Sequence, residues 1–489
     1  MKRKICILLA AVLVVLWGCT GQKAPEKTQE AAELPELPQL QGYDLYAGFA
    51  RADITPEAPV PLAGYGNTEK RISRNVLDPL YVDVLALTDA QDNTILLMTW
   101  DATRSYTQVQ ELARQSVAQA TGVDESRIYI AASHSHSAPE MTNQKVDSAS
   151  VYSTYVVTQT TQAALAALAD RKPAKMSVGS TEVEGLNFVR HYTYVDSEGN
   201  TQYFGDNFGT WVFNDTTTQT TKADATMYML RFTRLDAPEI ALVNWRAHPH
   251  LTGGSSLYDI SADWVGAFRD AVQYQTGAKV MYFNGASGNI NEKSRIQSEN
   301  LTTEYAEYGA MLAKFAVGLL NSDMESVKAD TIATKQTLYS APVNHNEDSR
   351  YYQAKEIIAQ YTATGIYNTE GALQYGIRSQ YHANAIISNY NREQTMDLEL
   401  NAILLGKQVC LVTAPAELFD TNAMWLEENS PADYTLTLGY TNGHFGYVPS
   451  KFAWEHTCYE SDISYFEPGT AEQIQECFLS MLNDMKGQG

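Results

Sequence analysis

Four of the nine histidines fall in two short runs, Ser133-His134-Ser135-His136-Ser137 and Ala247-His248-Pro249-His250. Each run directly follows an apolar stretch that reads as a strand, Ile128 to Ala132 and Ile240 to Asn244. Two further strand-like runs end in groups of the same kind. Val409 to Thr413 leads to Ala414-Pro415-Ala416-Glu417, and Thr435 to Leu438 leads to Gly443-His444-Phe445-Gly446-Tyr447. Loops at strand ends present side chains from a rigid base. If the chain stays extended past Ala132, residues i and i+2 share a face, so His134 and His136 address one point. Two imidazoles and a carboxylate form a set that holds zinc while leaving a position open for water. Zinc lowers the pKa of such a water to about 7 and polarises a carbonyl oxygen, so hydrolysis near neutral pH needs no protein nucleophile. In a chain with nine histidines spread this widely, spacing alone favours helix capping and core burial over a metal site, and His345 and His382 belong to that second reading.

The elements that must position these groups mix strands with helices. Val82 to Thr88 and Thr94 to Thr99 read as a hairpin around Asp92-Asn93. Val109, Leu112, Ala113 and Val117 have helical spacing that closes at Gly122. Strand-like runs recur at Lys279 to Phe283 and Ile403 to Leu405, and long helical stretches are expected over 302–320 and 349–390. No internal repeat and no second linker interrupts the chain after residue 44. The expectation is an α/β fold of mixed β-sheets flanked by helices, one large catalytic domain over 44–489 with its zinc site at strand ends.

Composition excludes several classes. With 35 Lys+Arg against 57 Asp+Glu the net charge is −22, which argues against a nucleic-acid partner. Hydrophobic content of 44% with 19% charged residues excludes disorder along most of the 489 residues. Lys2, Arg3 and Lys4 precede an apolar run from Ile5 to Trp17, too short for the ~20 residues of a spanning helix. That segment reads as a signal peptide over 1–18, ending in the lipobox-like Leu16-Trp17-Gly18-Cys19, with lipid on Cys19 as the membrane anchor of an exported bacterial envelope protein. Residues 19–43 carry Pro25, Pro35 and Pro38 among polar residues and read as a disordered tether. Only Cys410, Cys458 and Cys477 follow, enough for one disulfide and not for a disulfide scaffold.

Five short segments occur together in an order that resembles the neutral/alkaline, non-lysosomal ceramidases. They are Gly48-Phe49-Ala50-Arg51-Ala52-Asp53-Ile54-Thr55-Pro56 with Gly64-Tyr65-Gly66, the 133–139 segment, Asn244 to Pro249, Pro415 to Leu418, and Tyr447-Val448-Pro449-Ser450 up to Tyr459-Glu460. The resemblance implies one Zn2+ per chain, with His134, His248, Glu417 and Tyr447 as ligands. It implies His136 as a catalytic or substrate-contacting residue, and Tyr459 and Arg190 as groups facing the substrate. A small lipid or acylated substrate follows, cleaved at an N-acyl amide of the ceramide type or a related acyl ester. A neutral phenol is a poor ligand, so Tyr447 would bind weakly or as phenolate, or would instead hydrogen-bond the attacking group.

Two departures stand against this. The family's Gly-Asp-Val-Ser-Pro loop is here Gly288-Asn289-Ile290-Asn291-Glu292, with neither the acid nor the serine; Ser287 lies one step before it, where a serine more often bonds the backbone. The ceramidases also carry a β-sandwich domain after the catalytic one, and this chain ends about 30 residues past Tyr459. A catalytically silent, membrane-tethered lipid- or glycan-binding lipoprotein of the same fold is the alternative. Asp263 is read either as a carboxylate behind a ligating histidine or as a helix cap. His191 and His250 are expected at the surface or in caps.

Overall fold

The computed structural model describes residues 36–37, 42–66, 68–141, 147–205, 215–292 and 304–487. The signal segment, Cys19 and most of the tether lie outside the described residues. Among those described, no helix is long and apolar enough to cross a membrane.

Side-chain alternation along the strands sets the layers. In the strand Tyr81–Asp89, Val82, Val84 and Ala86 pack with Val109, Ala113 and Val117 of the helix Thr107–Thr121 and with Val156, Ala164 and Leu168 of the helix Asp147–Ala169. Leu85 and Leu87 of the same strand face the other way, onto a second sheet. Strands covered on both faces become near-continuous apolar runs, and for that reason Ile128–Ala132, Ile240–Trp245, Lys279–Asn284 and Val409–Thr413 are visible in the sequence.

The larger sheet has nine strands. Eight lie in the order Lys279–Asn284, Ile240–Trp245, Thr226–Arg234, Lys172–Glu182, Leu45–Asp53, Tyr81–Asp89, Thr94–Trp100, Ile128–Ala132, and Glu325–Val327 pairs beside Lys172–Glu182. Its pairs are antiparallel except at the two ends, where Thr94–Trp100 pairs parallel with Ile128–Ala132 and Ile240–Trp245 with Lys279–Asn284. A four-stranded sheet runs Ile332–Pro342, Thr395–Leu405, Val409–Thr413, Tyr434–Leu438, the last two parallel. Leu411, Leu436 and Ile403 of this sheet share one apolar cluster with Leu97, Phe232 and Leu242 of the first, so the sheets stack face to face. Helices Asp263–Thr276 and Tyr305–Leu320 cover the far face of the large sheet through Trp264, Phe268 and Leu312. Helices Asp420–Asn429 and Thr470–Gly487 cover the small one. The result is four layers, helix, sheet, sheet, helix, in the α/β class expected.

The hairpin around Asp92 is present, with Thr88 opposite Thr94 and Asp92 at φ 63. The helical stretch expected over 349–390 is made of three helices, Tyr351–Thr364, Thr369–Leu373 and Gln380–Tyr390. Gly365 at φ 70 terminates the first, its N–H bonding back to the Tyr361 carbonyl, and Gly376 at φ 68 lies in the turn before the third. The three cysteines are all free thiols, so no disulfide forms among the described residues.

Candidate metal centre

Three parallel strand pairs, Thr94–Trp100 with Ile128–Ala132, Ile240–Trp245 with Lys279–Asn284, and Val409–Thr413 with Tyr434–Leu438, deliver their C-terminal ends to one place. The Asn244 side-chain amide donates to the carbonyls of Phe283 and Thr437, tying the large sheet to the small one. The Asn284 amide donates to the carbonyls of Ala247 and Ser133, tying the end that leads to His248 to the end that leads to His134. Glu417 and Tyr447 are direct partners in a short parallel ladder, Glu417–Leu418 against Tyr447–Val448. Segments far apart in sequence therefore meet at fixed distances.

His134 and His136 converge, but not by extended alternation. The strand ends at Ala132, and His134 takes a left-handed φ of 71 while its N–H bonds the Ala102 carbonyl. A non-glycine residue in that region is strained; the surrounding bonds hold it there. The two Nε2 atoms are 3.2 Å apart. His136 is fixed from the other side: Arg71 donates to its carbonyl at 2.9 Å, and Gly64 packs so closely that a Cβ there would come within 2.5 Å of the His136 Cα.

The tautomers follow from the partners. His134 Nδ1 lies 2.6 Å from the Thr103 carbonyl and His248 Nδ1 lies 2.9 Å from the Ile290 carbonyl. A carbonyl only accepts, so in both rings the proton sits on Nδ1 and Nε2 is a bare lone pair. Those two lone pairs lie 3.6 and 3.5 Å from Glu417 Oε2, a buried oxygen with no hydrogen-bond partner among the described residues. Candidate ligand atoms of His134, His136 and His248 all fall within 4.8 Å of one another. Burial pushes all three imidazoles below their usual range, keeping them neutral. Burial opposes charge on Glu417, while the hydrogen bond from His444 Nε2 to its Oε1 at 2.9 Å favours the carboxylate and lowers its pKa.

Tyr447 places its hydroxyl 3.3 Å from His248 Nε2 and accepts from Arg190 Nη2 at 3.1 Å. Burial pushes that hydroxyl well above its ordinary pKa, which keeps it a phenol. Arg190 also donates to Glu460 at 2.6 Å, to Asn291 Oδ1 at 3.1 Å and to the Gly288 carbonyl at 2.7 Å. Tyr459 begins the helix Tyr459–Ile463, its ring 5.9 Å from that of Tyr447 and edge-on to it.

Several other groups differ from their sequence reading. His191 is part-buried and bonds Glu460 Oε2 at 2.8 Å, and His250 bonds the buried Glu292 at 2.6 Å; both imidazoles are paired with carboxylates instead of lying on the surface. Asp263 opens its helix, accepts from Trp264 N and from Thr252, and makes no hydrogen bond to a proposed ligand. Ser287 bonds the Tyr440 hydroxyl at 2.7 Å inside the core, a structural role. His444, in the strand-end group with Tyr447 but given no role by the sequence, meets Glu417 Oε1 at 2.9 Å. Tyr440 was also missed, and its ring stacks on His134 at 4.2 Å.

No protein-family model matches the sequence, and no curated protein matches it. Solved structures do match. A neutral ceramidase from Pseudomonas aeruginosa superposes with a TM-score of 0.69 at 15% identity, over 91% of this chain and 75% of that one. A ceramidase complexed with C2 gives 0.67 at 15% identity, over 91% of this chain and 76% of that one. At this identity the likeness is one of fold.

Proposed function

We propose that this chain is a zinc-dependent hydrolase of an N-acyl amide of the ceramide type, or of a related acyl ester. The observation that carries the reading is a set of proton-free acceptors aimed at one point: Nε2 of His134, Nε2 of His248 and the orphaned Oε2 of Glu417. His136 Nε2 and the Tyr447 hydroxyl lie within reach of the two imidazole lone pairs, but Glu417 Oε2 has no donor among the described residues, and a divalent cation among the three would pair it. Imidazole and carboxylate donors suit zinc, with His134, His248 and Glu417 holding it and Tyr447 beside them. A bound zinc supplies a water of pKa about 7 and a Lewis acid for a carbonyl oxygen.

The remaining work falls to the chain. His136 is part-buried, has no partner for Nδ1 among the described residues, and lies 3.2 Å from His134; it is the group placed to carry a proton to the leaving amine or alkoxide. The four named Arg190 hydrogen bonds all go to protein acceptors, so Arg190 acts by holding the Tyr447 hydroxyl, which is aimed toward the same point. Tyr459 stands at the outer side of Tyr447 to receive the polar part of the substrate. The ceramidase fold over nine-tenths of the chain supports an acyl-amide substrate. A lipidated Cys19 would keep the enzyme at a bacterial envelope, near such lipids.

The test is metal content of the purified chain beside its Glu417→Ala variant, with release of fatty acid from a short-chain ceramide assayed before and after chelation. About one zinc per chain, lost in the variant, with chelator-sensitive hydrolysis, is expected. Absence of zinc from the native chain even after incubation with the metal would remove the mechanism.

A further inference from the structure

Next to Arg190 lies a second convergence of metal-binding groups, made by His191, Cys458 and Glu460. One candidate ligand atom from each, an imidazole nitrogen, the thiol sulfur and a carboxylate oxygen, lies within 4.8 Å of the other two. Among the described residues, the cluster of His134, His136 and His248 is the other group with this property. Two remote segments build the second one. His191 starts the strand His191–Val195, which pairs with Thr201–Gly205 so that His191 lies opposite Gly205; a Cβ on that glycine would come within 3.5 Å of the His191 ring. Cys458 and Glu460 come from the start of the helix Tyr459–Ile463, where the Ser461 N–H bonds the Cys458 sulfur.

A salt bridge accounts for two of the three groups and leaves the third unexplained. His191 Nε2 meets Glu460 Oε2 at 2.8 Å, and Glu460 Oε1 takes Arg190 Nε at 2.6 Å. An ion pair needs no sulfur. Cys410 and Cys477 pack with the apolar cluster of the small sheet, as free cysteines commonly do. Cys458 instead hydrogen-bonds the His191 imidazole and lies beside the Glu460 carboxylate. The carboxylate is fixed by Arg190 on its other oxygen, as outer partners fix metal ligands.

The donor set selects the ion. Thiolate and imidazole suit zinc and its heavier relative cadmium, whereas magnesium and calcium take oxygen ligands. Three protein ligands leave a position for water. Charge is conserved as the ion enters: it brings two positive charges, while the protons of the His191 imidazolium and the Cys458 thiol leave to solvent, so no uncompensated charge is buried. Burial opposes charge on His191, but Glu460 more than compensates, and burial raises the Cys458 thiol above its ordinary pKa. Both protons therefore resist removal, so this site is weaker than the His134 centre and fills when metal is supplied. The His191 side chain is 12% exposed and Cys458 is part-buried, which leaves the ion a route from solvent. We propose that His191, Cys458 and Glu460 form a second metal site, which takes one thiophilic divalent ion, zinc or cadmium. Arg190, bonded to both Glu460 and the Tyr447 hydroxyl, joins it to the first centre.

The test uses cadmium as the probe, because its thiolate complexes absorb in the ultraviolet by sulfur-to-metal charge transfer and the His134 centre holds no thiol. Cadmium is titrated into the purified full chain and into its Glu417→Ala, Cys458→Ser and His191→Gln variants, kept reduced without thiol reagents. The native chain and Glu417→Ala should both show the band, saturating at about one cadmium per chain. Cys458→Ser should lose it, and His191→Gln should bind more weakly by about tenfold or more. No band up to millimolar cadmium in the native chain, a band undiminished in Cys458→Ser, equal affinity in His191→Gln, or a band lost in Glu417→Ala would each overturn the proposal. None of these readouts uses zinc at the His134 centre or hydrolytic activity, so the hydrolase reading and this site fail separately.

Discussion

Replacing Arg190 by Met would remove a buried cation from a position where four acceptors depend on it. The guanidinium is 3% exposed and bonds Glu460, Asn291, the Gly288 carbonyl and the Tyr447 hydroxyl. Removing one partner of a buried ion pair costs about 3–5 kcal/mol because the other charge stays buried. Here Glu460 keeps a second cationic partner in His191, 2.8 Å from its other oxygen, which places the expected loss near the lower end, at about 3 kcal/mol. Adding Glu460→Gln removes the stranded charge, so the double variant should lose less than the sum of the singles, with a coupling of about 2 kcal/mol. Urea denaturation of the wild type, both singles and the double, followed by fluorescence, measures each quantity. A loss below about 1 kcal/mol in Arg190→Met, or a coupling below about 0.5 kcal/mol, would refute the placement of Arg190 as a buried keystone.

Three other outcomes follow from the same geometry. His191 is pushed up to about 10: burial opposes its charge, but Glu460 beside it more than compensates. A folded pKa above the unfolded value of about 6.5 gives stability that is complete below that pH and lost as pH rises toward 10, so the melting-temperature gap between wild type and His191→Gln should be widest near about pH 6 and close at alkaline pH. His444→Ala strips a hydrogen-bond partner from Glu417 Oε1 and should weaken zinc binding by about 10–100-fold in a competition titration with a chromophoric chelator. Gly64→Ala combines a φ of 99 with a Cβ within 2.5 Å of the His136 Cα, and a loss of about 1–3 kcal/mol or more should appear as a lowered melting temperature; an unchanged one would contradict this packing.

The sequence makes visible those parts whose burial is symmetrical. Strands such as Ile128–Ala132 and Val409–Thr413 are covered on both faces, so every position is apolar and the run stands out. Lys172–Glu182 and Ile332–Pro342 are just as long-range in their pairing, yet alternate buried and exposed positions and carry Lys, Pro and Thr, so they blend into loop composition. The site follows the same division. His134, His248 and Glu417 come directly after readable strands, which is why residue type and position single them out. Glu292, Glu460 and His444 gain their roles only through contacts that join remote segments, so even where a neighbouring residue draws attention to the segment, the partner is not legible in the sequence. The geometry of 133–136 is not legible in the sequence for a local reason: a left-handed histidine carries no compositional mark, whereas a glycine there would.

The 288–292 loop shows why a departure in residue type need not be a departure in architecture. Gly288 packs against the Glu417 backbone, where a Cβ would meet its carbonyl at 2.6 Å, and its own carbonyl receives Arg190. The Asn289 side chain pairs with Asp420 at 2.7 Å. Ile290 contributes its carbonyl, which sets the tautomer of His248, while Ile290–Glu292 pairs with Asn187–Val189 and so carries Arg190 into register. Asn291 accepts from that arginine and Glu292 holds His250. Two of the most consequential of these functions, tautomer control and the ladder, use backbone atoms that any residue except proline at the donor positions supplies. A loop that performs its work through carbonyls needs neither an aspartate nor a serine to orient the His248 imidazole. The absent serine therefore weighs against a serine nucleophile and not against a metal centre built from His134, His248 and Glu417.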